Sequence, residues 1–209
     1  MKQKIRVIYD LLQIIFKMNR NIFKIILLKI KKDPYAIQFI ENPSFELQKL
    51  AVTRYRNAIK YIQNPSFEIQ KIVVTQNEFN IQHIKNPSFK IQKLAVTQCE
   101  HVIKHIQNPS YNIQKLAVIQ SGFVIQWIQN PSLEIQKFVV TQDGYSIRYI
   151  QNPSFEIQEI AVTQNGYAIQ YIENPSIELQ KIAVTQCGRS IQFIQNPNDV
   201  IKRLVKYNS

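Results

Sequence analysis

The dipeptide Asn-Pro begins at Asn42, Asn64, Asn86, Asn108, Asn130, Asn152, Asn174 and Asn196, a spacing of 22 residues held without a single insertion. So short and strict a period rules out one central core. Each repeat can bury its apolar side only against its neighbours, and the chain is expected to fold as one elongated tandem array. The best-preserved copy runs from Asn152 to Glu173. Residues 33–195 read as one half repeat, beginning Asp33-Pro34-Tyr35, followed by seven full repeats.

The repeat divides into two helical halves. Asn152 is expected to end the preceding segment and to cap the next with its side-chain oxygen, with Pro153 at the first helical position; Ser154 is the alternative cap, giving a start at Phe155. The first helix is expected to end near Gln164, because Asn165-Gly166 signals a turn in which glycine is free to take positive φ. A shorter second helix runs from Tyr167 to about Glu173. On a helical wheel, Ile157, Ile160 and Ala161 share one side, Phe155 and Val162 lie nearly opposite, and Glu156, Glu159 and Thr163 occupy a narrow polar arc. A helix apolar on two sides is one packed between neighbours. Seven residues cannot sustain the second helix alone, so stacking must hold it. A β-containing solenoid is the competing architecture, since leucine-rich repeats share this period. It is disfavoured by the missing L-x-x-L-x-L-x-x-N pattern, by the adjacent apolar residues Ile160, Ala161 and Val162, and by a total of only four glycines. The expected fold class is all-α: an α-solenoid of short two-helix repeats.

The ends depart from the repeat. Residues 1–32 carry nine Lys or Arg against Asp10 alone, whereas the remainder carries 17 basic and 13 acidic groups, so most of the formal charge of +12 is N-terminal. These residues read as basic amphipathic helices that cap the array, with anchoring at an anionic membrane surface as the competing role. Lys17, Arg20 and Lys24 interrupt the apolar runs before either a membrane span or a convincing secretory signal develops. Residues 196–209 read as a C-terminal capping helix, with Lys202, Arg203 and Lys206 facing water. Cys99 and Cys187 lie four repeats apart and are expected to be free thiols, which suits a reducing compartment.

Comparing the copies exposes ladders. Gln48, Gln70, Gln92, Gln114, Gln136, Gln158 and Gln180 never vary. Their expected role is to satisfy backbone groups at helix ends or to pair between repeats; a base-reading code would require variation. Phe39, Tyr61, His83, His105, Trp127, Tyr149, Tyr171 and Phe193 form an aromatic ladder expected to pack in the core, with stacking of bases or peptide side chains as the alternative if it lines a groove. Glu46, Glu68, Glu134 and Glu178 precede Lys49, Lys71, Lys137 and Lys181 by three residues, which suits weak pairing along each helix.

Variation concentrates at the turn between the halves. Specificity is expected there, at Tyr55, Arg56, Asn77, Glu78, Cys99, Glu100, His101, Asp143, Cys187 and Arg189, with relaxed surface constraint as the competing explanation. His83, Cys99, His101 and His105 together suggest zinc. Repeat geometry puts His83 and His105 about 10 Å apart, however, so no metal site is expected. No catalytic triad, H-E-x-x-H, Walker or dinucleotide motif occurs. No cofactor is expected, and the chain is read as no enzyme.

The pattern Asn-Pro-Ser-x-Glu-Ile-Gln-x-x-Ala-Val-x-Gln-Asn-Gly-x-Ala-Ile-x-Tyr-Ile resembles short helical repeats of uncharacterised families in giant DNA viruses and some bacteria and protists. The resemblance covers Asp33 to Ser209 and carries over no functional residues. It implies a viral origin, and with it an intracellular location in the host cytoplasm. The function expected is a protein-protein interaction scaffold without catalytic activity. The runner-up is nucleic-acid or anionic-membrane binding through the basic N-terminal segment.

Overall fold

In each full repeat a serine starts a ten-residue α-helix, one extended residue follows, and a six-residue 3-10 helix completes the pair. A computed structural model of the chain describes residues 21–207; of the N-terminal segment expected to form capping helices over residues 1–32, residues 1–20 lie outside them. The α-helices are Phe45–Arg54, Phe67–Gln76, Phe89–Gln98, Tyr111–Gln120, Leu133–Gln142, Phe155–Gln164 and Ile177–Gln186. The 3-10 helices are Pro34–Phe39, Arg56–Tyr61, Glu78–His83, Glu100–His105, Gly122–Trp127, Gly144–Tyr149, Gly166–Tyr171 and Gly188–Phe193. A helix over residues 21–32 precedes them, Asp199–Tyr207 follows, and no strand occurs among the described residues. The architecture is therefore an all-α helical repeat solenoid. Its contacts divide into two compact units, one ending at Ala95 and the other beginning at Val96.

The α-helix starts at Phe155, with Ser154 as its cap accepting a hydrogen bond from the Ile157 N–H at 3.4 Å. Asn152 has a different task from the capping role its sequence suggests. Together with Asn42, Asn86, Asn108, Asn130, Asn174 and Asn196 it adopts the left-handed region, with φ between 47° and 52°. Asparagine is among the few residues that enter this region at low cost, so it turns the chain sharply just ahead of proline. Proline consequently lies outside the helix, and its carbonyl needs a donor. The glutamine ladder supplies one: Gln158 Nε2 donates to the Pro153 carbonyl at 3.0 Å, and Gln48, Gln70, Gln92, Gln114, Gln136 and Gln180 do the same five residues after their own prolines, at 2.8–2.9 Å. The expectation that these amides satisfy backbone at helix ends holds, and the bond closes within each repeat.

Ile157 and Val162, about 140° apart on the wheel, are both fully buried beside Ala161, so the helix does pack over a broad arc. Phe155 is an exception to the two-sided reading: it sits in the first turn and is 45% exposed. The second half is a 3-10 helix, whose three-residue turn sorts side chains differently from an α-helix. Ile169 and Ile172 fall on one buried side, while Gln170 and Glu173 fall on an exposed one. The Ile172 N–H closes the element on the Ile169 carbonyl at 3.1 Å.

Glycine has been recruited for closeness rather than for positive φ, which no described glycine adopts. A Cβ on Gly166 would stand 2.5 Å from the Ala183 carbonyl oxygen of the next repeat, and one on Gly144 would stand 2.4 Å from that of Ala161. The Gly144 N–H also donates to Gln164 Oε1 at 2.7 Å, and Gln120 Nε2 donates to the Val96 carbonyl at 2.9 Å, so glutamines ending the α-helices tie successive repeats together. Lys137 likewise pairs with Glu156 of the next repeat, instead of with Glu134 on its own helix.

At the ends, Ile30 is buried in the helix over residues 21–32, whereas Ile22, Phe23, Ile25 and Leu28 are exposed. No described helix is long and apolar enough to cross a membrane. In the final helix Asn198 takes the serine's place as cap, accepting from the Ile201 N–H at 3.0 Å; Ile201 is buried, and Lys202 and Arg203 are exposed.

The glycine contacts predict a contrast. Gly166→Ala should lose about 1–3 kcal/mol in equilibrium urea unfolding through overpacking. Gly188→Ala, whose added Cβ would meet only Val205 Cγ1 at 3.6 Å, should be neutral or slightly stabilising. Equal losses in the two variants would contradict the close-approach explanation.

Candidate binding edge

The aromatic ladder is not core. Phe39 is 77% and Tyr171 37% exposed, Phe193 and His83 are exposed, and Tyr61, His105, Trp127 and Tyr149 are half-buried. The 3-10 geometry explains this exposure. Ala168 and Tyr171 share a side three residues apart, and with alanine at the buried end the larger ring is left to project outward. Tyr61, Trp127, Tyr149, Tyr171 and Phe193 are each supported by a ring of the preceding repeat. Tyr35 meets Tyr61 at 5.6 Å between centroids, His101 meets Trp127 at 5.1 Å, Phe123 meets Tyr149 at 4.9 Å, Tyr145 meets Tyr171 at 5.9 Å and Tyr167 meets Phe193 at 5.9 Å. Most of these contacts are edge-to-face, the arrangement that ring quadrupoles favour.

Cations overlie this double row. Lys60 Nζ lies 5.7 Å from the Tyr35 ring and 4.8 Å from that of Tyr61 in the first compact unit. In the second, Lys104 Nζ lies 5.6 Å from Trp127, and the Arg148 guanidinium lies 4.6 Å from Tyr149 and 5.9 Å from Tyr171. The hydroxyls of Tyr171 and then Tyr149 hold Arg148 more firmly protonated than usual, against partial desolvation. Lys60, Lys104 and Arg148 were not singled out by sequence. They occupy one repeat position in alternate copies from Lys60 to Arg148, separated by Gln82 and Gln126, with Gln38, Gln170 and Gln192 at the same position elsewhere, and that alternation is the signal that identifies them.

Between successive rings the Asn-Pro bends leave open grooves. One of about 450 Å³ is lined by Trp127, Tyr149, Gln129, Asn130, Gln136 and Gln151; its counterpart, of about 670 Å³, lies beside Tyr171, Phe193, Gln180 and Gln195. Aromatic walls and primary amides therefore alternate along this edge.

The variable turns border the same rows, but several of their residues serve the fold. Asn77 and Asp143 cap the following 3-10 helices, accepting from the N–H groups of Phe79 at 2.9 Å and Tyr145 at 3.0 Å; Asp33 and Asn165 act alike. Tyr55 packs on Tyr35 at 4.8 Å, and the Tyr35 hydroxyl is pushed up to about 12, first by its hydrogen bond to Tyr55. Arg56 and Arg189 are exposed and Glu78 is half-buried. Cys187 and Cys99 are free and half-buried. The Tyr167 hydroxyl, hydrogen-bonded to the Cys187 sulfur, draws that thiol below its ordinary range and is itself raised. Cys99, Glu100 and His101 gather their ligating atoms within 4.8 Å of one another; His83 and His105 fall outside this group. No protein-family model, curated protein or solved structure matches the chain.

His83 offers a direct check on the electrostatics of the edge. Although part of its ring is exposed, desolvation by its surroundings, and secondarily the charge of Lys60, disfavour the imidazolium. Its NMR titration midpoint should lie below the ordinary value of about 6.5, leaving the ring neutral at pH 7. Lys60→Gln should raise the midpoint only part of the way, since desolvation is the larger cause. A midpoint at or above the ordinary value would contradict this environment.

Proposed function

We propose that the chain is a non-catalytic protein-interaction scaffold that binds extended, acidic protein segments along the edge that the 3-10 helices form within each compact unit. The observation that carries this reading is the repeated alternation of exposed rings, overlying cations and amide-lined grooves. Amides such as Gln129 and Gln151 can donate to and accept from a peptide backbone, rings such as Trp127 and Tyr149 can take side chains between them, and Lys60, Lys104 and Arg148 complement carboxylates. Neighbouring packed helices lie roughly 8–10 Å apart, close to the span of about three extended residues, so one repeat suits one short peptide step. The turn residues Tyr55, Arg56, Asn77, Glu78, Cys99, Glu100, His101, Asp143, Cys187 and Arg189 border the rows and would tune the choice of segment.

Single-stranded nucleic acid fits this edge less well. Base stacking needs open ring faces, whereas these rings meet their neighbours edge-to-face and carry cations on their faces. The competing reading keeps the basic N-terminal segment as a contact for nucleic acid or anionic membranes.

Selection from a random linear peptide library should enrich sequences rich in Asp and Glu. Replacing Trp127 and Tyr149 by alanine should weaken the enriched peptides at least about tenfold, as expected for aromatic anchors. Failure to enrich any peptide, together with salt-sensitive binding to single-stranded oligonucleotides or anionic vesicles, would overturn the scaffold reading in favour of the N-terminal one.

A further inference from the structure

We propose that the turn Cys99-Glu100-His101 is a zinc site. It lies wholly within the second compact unit, and its thiol, carboxylate and imidazole ligating atoms come within 4.8 Å of one another on three half-buried side chains. Glu100 Oε1 and His101 Nδ1 are already 3.0 Å apart, and the His101 ring is steadied by Trp127 at 5.1 Å and Phe123 at 6.2 Å. Zinc takes sulfur at about 2.3 Å and nitrogen or oxygen at about 2.0–2.2 Å in tetrahedral array, so these atoms need only close to roughly 3.5 Å of one another. Rotation of the Cys99 and Glu100 side chains provides that adjustment.

The donor set of one sulfur, one nitrogen and one oxygen suits this borderline-soft ion and excludes magnesium or calcium, which require oxygen ligands. A neutral imidazole would present its proton-free nitrogen to the ion, and the Cys99 thiol would release its proton to solvent as the zinc-sulfur bond forms. Three protein ligands leave a fourth position open to water. The extended backbone of Cys99, with φ −156° and ψ 115°, links the α-helix to the 3-10 helix, so the site fixes this turn without disturbing either element.

The chain supplies its own controls. Cys187-Gly188-Arg189 places a cysteine at the equivalent point of another repeat but follows it with a glycine and a cation, leaving no second or third ligand. Ser121 and Phe123 occupy the positions of Cys99 and His101 in the neighbouring repeat, so Cys99→Ser and His101→Phe use side chains that this fold already accepts.

The test uses the full chain, made without a histidine tag, freed of metal and kept reduced. Isothermal titration with zinc chloride and absorption titration with cobalt(II) chloride provide two readouts. The expected result is one ion per chain, with a thiolate-to-cobalt charge-transfer band that disappears in Cys99→Ser and persists in Cys187→Ser. Cys99→Ser and His101→Phe should each weaken zinc binding by more than about tenfold, a loss that changes even to outer-shell partners can cause. Absence of stoichiometric uptake, uptake insensitive to both ligand variants, or a band that depends on Cys187 would overturn the site. None of these outcomes depends on whether the edge binds peptide.

Discussion

The bend between repeats depends on a reciprocal arrangement of three residues. An asparagine in the left-handed region reverses the chain, proline follows with a fixed φ and no N–H to satisfy, and its carbonyl takes a hydrogen bond from the glutamine five residues on. Because that glutamine belongs to the first turns of the next α-helix, the bond sets the angle at which the chain enters the helix. Serine completes the start by capping the N–H of the third helical residue, as Ser132 does for Ile135 at 3.3 Å. All of these contacts lie inside one repeat, which explains why asparagine, proline, serine and glutamine persist unchanged through the seven full copies.

With the bend settled locally, the interfaces between repeats are left to aliphatic side chains and close backbone approach. Ile135, Val139 and Val140 of one α-helix are as buried as Ile157, Ala161 and Val162 of the next. Gly144 and Gly166 allow the 3-10 helix to press against the following α-helix, a demand that Arg56, Glu78 and Glu100 at the equivalent positions do not meet in the same way. The buried work is thus done by isoleucine, valine, alanine and glycine, and the large rings are released to the surface. There they gain support from one another and from cations, forming an edge whose composition can change without cost to the core.

Much of the fold was legible from the period. Its strictness implied a solenoid, the adjacent apolar residues implied helices, and an invariant amide implied a partner in the backbone. What escaped was local and followed from the 3-10 helix. A wheel drawn at 100° per residue merges Ile169, Tyr171 and Ile172 into one apolar arc, whereas a three-residue turn buries the isoleucines and exposes the tyrosine. That arc places the aromatic ladder in the core, where cations above it have no role. Asn165-Gly166 carried the usual signature of a positive-φ turn, yet the strained backbone sits at Asn152, where a following proline normally favours extended structure. Of the candidate site, the turn positions were read as variable; their capping duty at Asn77 and Asp143 became visible only with the hydrogen bonds in view.

Whether the glutamine-to-proline bond fixes each bend is tested most directly by Gln158→Met. Methionine keeps an unbranched chain of similar length but removes the donor, leaving the Pro153 carbonyl unpaired. Equilibrium urea unfolding should show a loss of about 1–3 kcal/mol, the usual cost of a part-buried acceptor left without its partner. Unchanged stability in this variant would contradict the account, placing the origin of the bend in the asparagine and proline alone.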